Sequence, residues 1–442
     1  MILDIFREIC ARPHESFKTD ELRIWLENEL KKCDFMVKSD EFGNIYAIKG
    51  EPKICLQAHY DMVKVGSNER IEILTTKNEK GEFWSAKDSS LGADNGVGVA
   101  IALYYARTQN ALEILLTNNE EVGLLGATNF AGYLISPRLL NLDTEDEHEI
   151  INGCAGDVKV KFEKEPTLTK VSGKFKALSL KGLRGGHSGI EIAKNIPNAI
   201  SELAKFVKAR KGRLAFFKGG ERINSIPANA ECLAFFEKPF VNFSDFVGDF
   251  ALAEKLEVSE VVGEFGVENG EILRFLSGFK SGVYESENGE TVGENADVRT
   301  SVNLSLVEFS HGKFCAEVFA RSCDNAALKR VCNEFCKNEK FYVHVGEFSP
   351  AWKPVKSEFC DIVAEAFKKN RIFAKVKHIH AGLECGVLSA NQKRLFGRDV
   401  SAVSVGPNIT SPHSTSERLD VESARRICAV VKTILDSVNS LA

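Results

Sequence analysis

No stretch of this 442-residue chain approaches the roughly 20 consecutive apolar residues needed to span a bilayer. Its opening, MILDIFREICARPHESFKTDELRIWLENELKK, lacks the basic start and unbroken apolar run of a secretory signal and instead carries apolar residues at helical spacing among acids. Lysine and arginine form no stripe, and the net charge of -5 is mild, so neither nucleic acid nor a membrane surface is an expected partner. Cysteine is not scarce, at 12 residues, but the thiols are dispersed, and no secretory signal favours their pairing. Buried reduced thiols and a cytoplasmic location are therefore expected. Cys332 and Cys336 sit one helical turn apart with no second pair nearby, a pattern of packing rather than of a zinc knuckle. The glycine-rich GADNGVGVA lacks the third glycine of a dinucleotide fingerprint and the Lys-Ser/Thr of a phosphate loop, which removes both nucleotide readings. Low-complexity tracts and convincing repeats are also missing.

What remains is an ordinary globular composition, 44% hydrophobic and 27% charged, in a chain long enough for two or three domains. Up to about residue 170, helices alternate with short apolar strands. Residues 3–11, 19–33, NGVGVAIALYYART and GLLGATNFAGYL read as helices, and NIYAIKG, KICLQAH, ALEILLT and PRLLNLD as strands. Such alternation predicts an α/β domain with a mixed, mostly parallel sheet covered by helices. The texture then changes to long alternating strands. Among them is a hairpin turning at His311-Gly312, joined by the helical stretches ISELAKFVKAR and AALKRVCNEFCKN. The alternation resumes after SPAWKPV and ends in the helix DVESARRICAVVKTILDSVNSL. The expected architecture is an α/β domain over 1–171 and 350–442, interrupted by an α+β insertion over 172–349.

The chemistry-bearing residues collect at the carboxyl ends of the apolar strands. His59 and Asp61 follow one strand, and Asp94 lies in the turn that opens a helix. Glu120 and Glu121 follow the strand ALEILLT, Asp143 follows PRLLNLD, and His413 lies in a loop before the last helix. Taken singly, each has an ordinary explanation as a strand cap, a helix cap or a wet loop. In an open α/β sheet, however, the loops beyond the strand ends converge on one crevice. So many carboxylates would repel one another there unless cations neutralise them. A thiolate-free set of imidazoles and carboxylates suits Zn²⁺ first, with Mn²⁺ or Co²⁺ as alternatives. The set is too large for one tetrahedral ion but fits two ions about 3.5–4 Å apart sharing a carboxylate. Adjacent glutamates then divide the work: one ligates, and the other takes the proton of a water acidified by the ions.

The motifs HYDMV, GADNGVGVA, NNEEVGLLGA, NLDTED, INGCAGD, GLRGGHSG, HAGLECG and SPHSTSER, in this order, run through nearly the whole chain. Together they resemble the M20 metallopeptidases, and within them the aminoacyl-histidine (cytosol non-specific) dipeptidase group. The resemblance implies that Asp94 is the bridging carboxylate. His59 and Asp143 then complete one metal, and Glu121 and His413 the other. It implies that Glu120 is the general base acting on a metal-bound water, and that Asp61 accepts the second ring proton of His59. The insertion becomes the family's lid. His187 is expected to steady the oxyanion, and Asn224 and Arg321 to hold the substrate, Arg321 at its carboxylate. Glu384 in HAGLECG is a candidate for the free α-amine. Two positions depart from the pattern: Ile223 stands before Asn224 with Arg222 one place earlier, and Ala228 follows Pro227.

The function implied is hydrolysis of unblocked dipeptides, with Xaa-His among the favoured substrates. An M20 amidohydrolase acting on N-acyl amino acids is the neighbouring reading, and a catalytically inactive metal-binding or interaction protein the reading from another class. The long lid is compatible with a homodimer, in which His187 would serve a neighbour's site, or with a monomer.

Overall fold

The strands Cys55–His59 and Leu112–Thr117 are buried at every position. Continuous burial is the mark of strands covered on both faces, and these two form the middle of the sheet that organises the first part of the molecule. The computed structural model describes residues 1–66, 70–79, 81–238, 244, 247–248, 250–286, 298–354 and 356–441. It divides into two units. One comprises Met1–Cys154, Trp352–Ile379 and Leu383–Ala442, and the other Ala155–Ala351 with His380–Gly382.

In the first unit an eight-stranded sheet runs Met36–Ser39, Ile45–Lys49, Leu112–Thr117, Cys55–His59, Arg138–Asn141, Ser401–Ser404, Glu149–Cys154, Lys375–Ile379. The strands from Leu112–Thr117 to Ser401–Ser404 are mutually parallel, so Thr117, His59, Asn141 and Ser404 all end at the same edge. The two strands on one flank pair antiparallel, which makes the sheet mixed. The helix Ala93–Ala106 packs against it and is buried almost all round. The first helix, Ile2–Cys10, lies so close to this one that a Cβ on Gly96 would fall 2.8 Å from the Phe6 ring. A smaller sheet in the order Ile409–Thr410, Arg418–Asp420, Gly81–Ala86, Ile73–Asn78 carries the loop that holds His413.

The second unit is a nine-stranded antiparallel sheet with helices that include Ala199–Ala209, Glu271–Gly278 and Asn325–Cys336. Its core includes a phenylalanine cluster, with Phe162, Phe275, Phe279 and Phe335 in ring contact. The expected hairpin is there: Val298–Ser310 and Lys313–Ser322 pair across His311 and Gly312, whose φ values of 49° and 73° belong to a two-residue primed turn.

Two features differ from the sequence-based expectation. The division between units falls at Cys154/Ala155 rather than near 172, because Gly156–Lys164 pairs with Lys313–Ser322 and Tyr342–Ser349 of the second sheet. GLLGATNFAGYL forms a helix only over Leu125–Asn129. Over its last turn and just beyond, the Asn391 amide donates to the carbonyls of Ala127, Thr128 and Phe130, and Gln392 to that of Gly132, so side chains replace the helical ladder.

Among the described residues, no helix is long and apolar enough to cross a membrane.

Candidate metal centre

The parallel strands deliver their loops to one place in the first unit. His59 is the last residue of its strand, and its Nδ1 lies 2.9 Å from the backbone carbonyl of Asp61. That contact assigns the proton to Nδ1 and leaves Nε2 as a lone-pair donor. The Asp61 carboxylate, expected to take this proton, lies farther off at 3.6 Å and is occupied elsewhere. Its Oδ1 accepts the N–H of Glu120 at 2.9 Å, and its Oδ2 accepts the Ser16 hydroxyl at 2.8 Å and the N–H of Glu121 at 3.4 Å. The glutamate pair forms one 3-10 turn, Glu120–Val122, set between left-handed residues at Asn119 and Gly123.

Asp94 divides the site. Its Oδ1 lies 3.2 Å from His59 Nε2, which is also 3.2 Å from Asp143 Oδ1. Its Oδ2 lies 3.1 Å from His413 Nε2, which is 2.9 Å from Glu121 Oε1. Each oxygen of one carboxylate thus faces its own imidazole–carboxylate pair. Ligand atoms of His59, Asp94 and Glu121 also fall within 4.8 Å of one another, so the two halves are contiguous. Glu120 Oε2 stands beside them, 4.0 Å from His59 Nε2.

The polar accounting of this cluster is incomplete without a cation. Glu121 Oε1 and Asp143 Oδ1 are buried without hydrogen-bond geometry to any donor, despite their short distances to imidazole nitrogens. Buried oxygens left in this state are costly unless an ion supplies the missing partner. Nitrogen and oxygen donors without thiolate fit Zn²⁺, Mn²⁺ or Co²⁺. His59, Asp94 and Asp143 would hold one ion, and His413, Asp94 and Glu121 the other.

The crowding of imidazoles and carboxylates shifts the proton affinities of the cluster. Burial alone would lower His413, but Asp94 and Glu121 outweigh it and raise it to about 11. His59 is raised in the same way, mainly by Asp143 working against burial. Burial pushes Asp143 up to about 7 and holds Glu120 well above the usual carboxylate range, where Glu121, Asp143 and Glu384 add repulsion.

Glu384 opens the helix Glu384–Phe396 and is fully buried. Its Oε2 accepts from Gln57 at 2.5 Å and Thr117 at 2.7 Å, leaving Oε1 without a partner. Burial raises it to about 7.

His187, Asn224 and Arg321 belong to the second unit. His187 pairs with Ser225 in a two-residue ladder, and the Asn224 carbonyl accepts the N–H of Ser188 at 2.9 Å. His187 Nδ1 accepts the N–H of Gly189 at 3.3 Å and of Ile190 at 3.1 Å. An Nδ1 that accepts puts the proton of the neutral ring on Nε2, which makes that edge a donor. Arg321 is buried, stands opposite Ser301 and Asp157, and covers the Phe319 ring at 4.6 Å. A Cβ on Gly189 would lie 3.1 Å from His187 Cε1 and 3.3 Å from Arg321 Nε, so these two candidates are brought together within their unit.

One residue escaped sequence reasoning. Glu417, inside the quoted motif SPHSTSER, is buried with its carboxylate against the backbone at Asp94. Its acid, four places after a histidine in a polar loop, looks like any solvated glutamate in the sequence.

A family model described as Peptidase family M28 matches residues 45–144. That stretch holds His59, Asp61, Asp94, Glu120, Glu121 and Asp143 but stops short of His413 and the second unit. Relatives matching end to end define the group more closely. The chain is 30% identical to the cytosol non-specific dipeptidase of Escherichia coli (strain K12), over 98% of this chain and 97% of that protein. The aminoacylhistidine dipeptidase structure from Vibrio alginolyticus superposes with a TM-score of 0.75 at 25% identity, covering 100% of this chain and 97% of that one. A di-peptidase from Saccharomyces cerevisiae shares the fold at a TM-score of 0.54 and 11% identity, covering 100% and 96%. Full-length relatedness, an Asp94 that faces two histidine–carboxylate pairs, and an α+β unit inserted into an α/β one converge: the chain belongs to the M20 metallopeptidases, in the aminoacyl-histidine (cytosol non-specific) dipeptidase group.

Proposed function

We propose that this protein is a two-metal dipeptidase that hydrolyses unblocked dipeptides, Xaa-His among them, with Zn²⁺ as the resident ion. The observation that carries this reading is the division of Asp94, with Oδ1 toward His59 and Asp143 and Oδ2 toward His413 and Glu121. When bound, two divalent ions would polarise the scissile carbonyl and acidify the attacking water.

Glu120 supplies the proton transfers. Its Oε2 stands 4.0 Å from His59 Nε2, beyond hydrogen-bond length, and its backbone is fixed by Asp61. It takes the proton of the attacking water and returns it to the departing amine. His187, with its proton on Nε2, donates to the oxyanion. Arg321 offers a planar fork for the substrate carboxylate, and Asn224 a further polar contact. Glu384 is the remaining candidate for the α-amine through Oε1. Its burial and its bonds to Gln57 and Thr117 restrict that contact to one oxygen. A cytoplasmic site of action accords with the cytosolic relative.

The test is hydrolysis of one Xaa-His dipeptide beside its N-acetylated form, in Zn²⁺- or Mn²⁺-loaded protein and after chelation. Cleavage of the free peptide alone, lost on chelation, is the expected result. Cleavage of the blocked form alone would keep the metal core and transfer the protein to the N-acyl amino acid hydrolases.

A further inference from the structure

Asp94 and His413 are 319 positions apart in the chain, yet they meet at 3.1 Å. The loop carrying His413 is stiffened by its own bonds. Ser414 Oγ donates to the Ser411 carbonyl at 2.7 Å, Ser416 N–H to Ser414 Oγ at 3.1 Å, and Glu417 N–H to the Ser414 carbonyl at 3.2 Å. His413 itself sits at a φ of 57°, in the left-handed region that non-glycine residues visit uncommonly. What fixes the far end of the loop is Glu417, 2% exposed.

The Glu417 carboxylate is spent entirely on the backbone that presents Asp94. Oε2 accepts the N–H of Leu91 at 2.8 Å and of Gly92 at 3.0 Å, and Oε1 accepts that of Ala93 at 2.8 Å and of Asp94 at 3.4 Å. These amides run from Leu91 through the left-handed Gly92 to Asp94, a stretch that precedes the regular part of Ala93–Ala106 because Asp94 and Asn95 are themselves non-helical, so the four N–H groups need an acceptor from elsewhere. Gly92 makes the convergence possible. Its φ of 68° turns successive amides to one side, and a Cβ there would fall 2.7 Å from Met62 Sδ and 3.1 Å from His14 Nε2. One buried side chain therefore locks the His413 loop onto the Asp94 turn.

We infer that Glu417 is a positioning residue that sets the spacing of His413 and Asp94, and so controls occupancy of the metal position formed by His413, Glu121 and Asp94. The His59–Asp143 position depends on it less. Those two residues are carried by the strands Cys55–His59 and Arg138–Asn141, which are hydrogen-bonded to each other independently of Glu417. This inference rests on the two-ion reading above and assigns unequal roles within it.

The test uses Glu417→Gln, which keeps shape but replaces one acceptor oxygen with a donor facing the same amides. Chelated wild type and variant are titrated with Co²⁺ alone, and the visible d–d absorption is followed as a function of equivalents added. Wild type is expected to take up two equivalents. In the variant the first equivalent should bind as in wild type, and the second about 10–100-fold more weakly, the usual penalty for losing a group that orients ligands. Glu113→Gln is the control. Glu113 is equally buried and also holds backbone amides, those of Ile135 and Ser136 at 2.7 and 2.8 Å, at the opposite end of its strand from Thr117. It should lose stability but keep both equivalents. If Glu417→Gln fails to fold, Glu417→Asp, with the carboxylate drawn back by one methylene, should show the same selective loss. Two unaltered equivalents in the folded variant, or equal weakening of both, would overturn the inference while leaving the two-ion centre standing. A wild type that takes up fewer than two equivalents would overturn the two-ion reading, and this inference with it.

Discussion

Asp61 accepts the backbone N–H of Glu120 at 2.9 Å, so the carboxylate two places after the proposed metal ligand His59 holds the main chain of the proposed base. Asp61 is buried, and despite that burial its pKa is lowered by His59, the Glu120 amide and Ser16. It stays an anion under ordinary conditions. Its carboxylate thus fixes the glutamate turn, while its carbonyl fixes the His59 ring.

Asp61→Asn should therefore act on two residues at once. The amide keeps one acceptor but turns a donor either toward the Glu120 amide or toward the Glu121 amide and the Ser16 hydroxyl. The expected loss in kcat/KM is about 10–100-fold, with metal content falling less than activity. Steady-state kinetics beside metal analysis of the same sample checks this. Unchanged kcat/KM would show that the turn holds without Asp61.

Glu120→Gln separates base from ligand. It removes proton acceptance while preserving size, and kcat should fall by about 10²–10⁴-fold. Because Glu120 Oε2 stands 4.0 Å from His59 Nε2, beyond hydrogen-bond length, metal stoichiometry should match wild type. Glu121→Gln should do the reverse, weakening the ion beside His413. Loss of one ion in Glu120→Gln would exchange the two roles.

Much of this arrangement was legible in the sequence because backbone topology dictates it. Short apolar runs ending in His59, Thr117 and Asn141, alternating with helices, read as parallel strands, and parallel strands bring their loops to one edge. The meeting of Asp94 and His413 was implied by the family resemblance but not by the residues themselves, since it depends on the small sheet around Ile409–Thr410 and Arg418–Asp420, whose strands are too short to announce themselves. Glu417 was hidden for a stronger reason. Its partners are backbone amides, which have no signature in sequence. The sealed position of Glu384 was likewise illegible, because burial of a helix-opening glutamate follows from neighbours such as Gln57 and Thr117 on other strands.

Metal uptake should release protons. In the metal-free chain His413 is raised to about 11 and His59 is also raised, so both imidazoles are protonated near neutrality. Ligation requires neutral rings. Apparent affinity should then rise with pH across the neutral range, and the binding heat should depend on the ionisation enthalpy of the buffer. Calorimetric titration in two buffers at one pH measures the number of protons released. A buffer-independent heat would mean that the rings are already neutral before the ion arrives.

Acid stability should depend on Glu147, away from the proposed chemistry. It is buried, and its Oε2 accepts from Arg426 Nε at 2.8 Å while its Oε1 accepts from Arg426 Nη2 at 2.5 Å and from Asn408 at 3.0 Å. Burial alone would raise its pKa, but the bonds from Arg426 prevail and lower it. With the folded value below the unfolded value of about 4.3, this pair stabilises the fold fully above that pH. Its contribution disappears as pH falls through the folded value. Arg426 is half exposed, so solvent screening keeps the effect modest. Glu147→Gln should cost about 1–2 kcal/mol near neutrality. Its stability should also fall less steeply than wild type between pH 5 and pH 3 (roughly the window in which free carboxylates titrate). Urea unfolding midpoints across that range would show the two curves converging at low pH, and parallel curves would mean that Glu147 titrates no differently once folded.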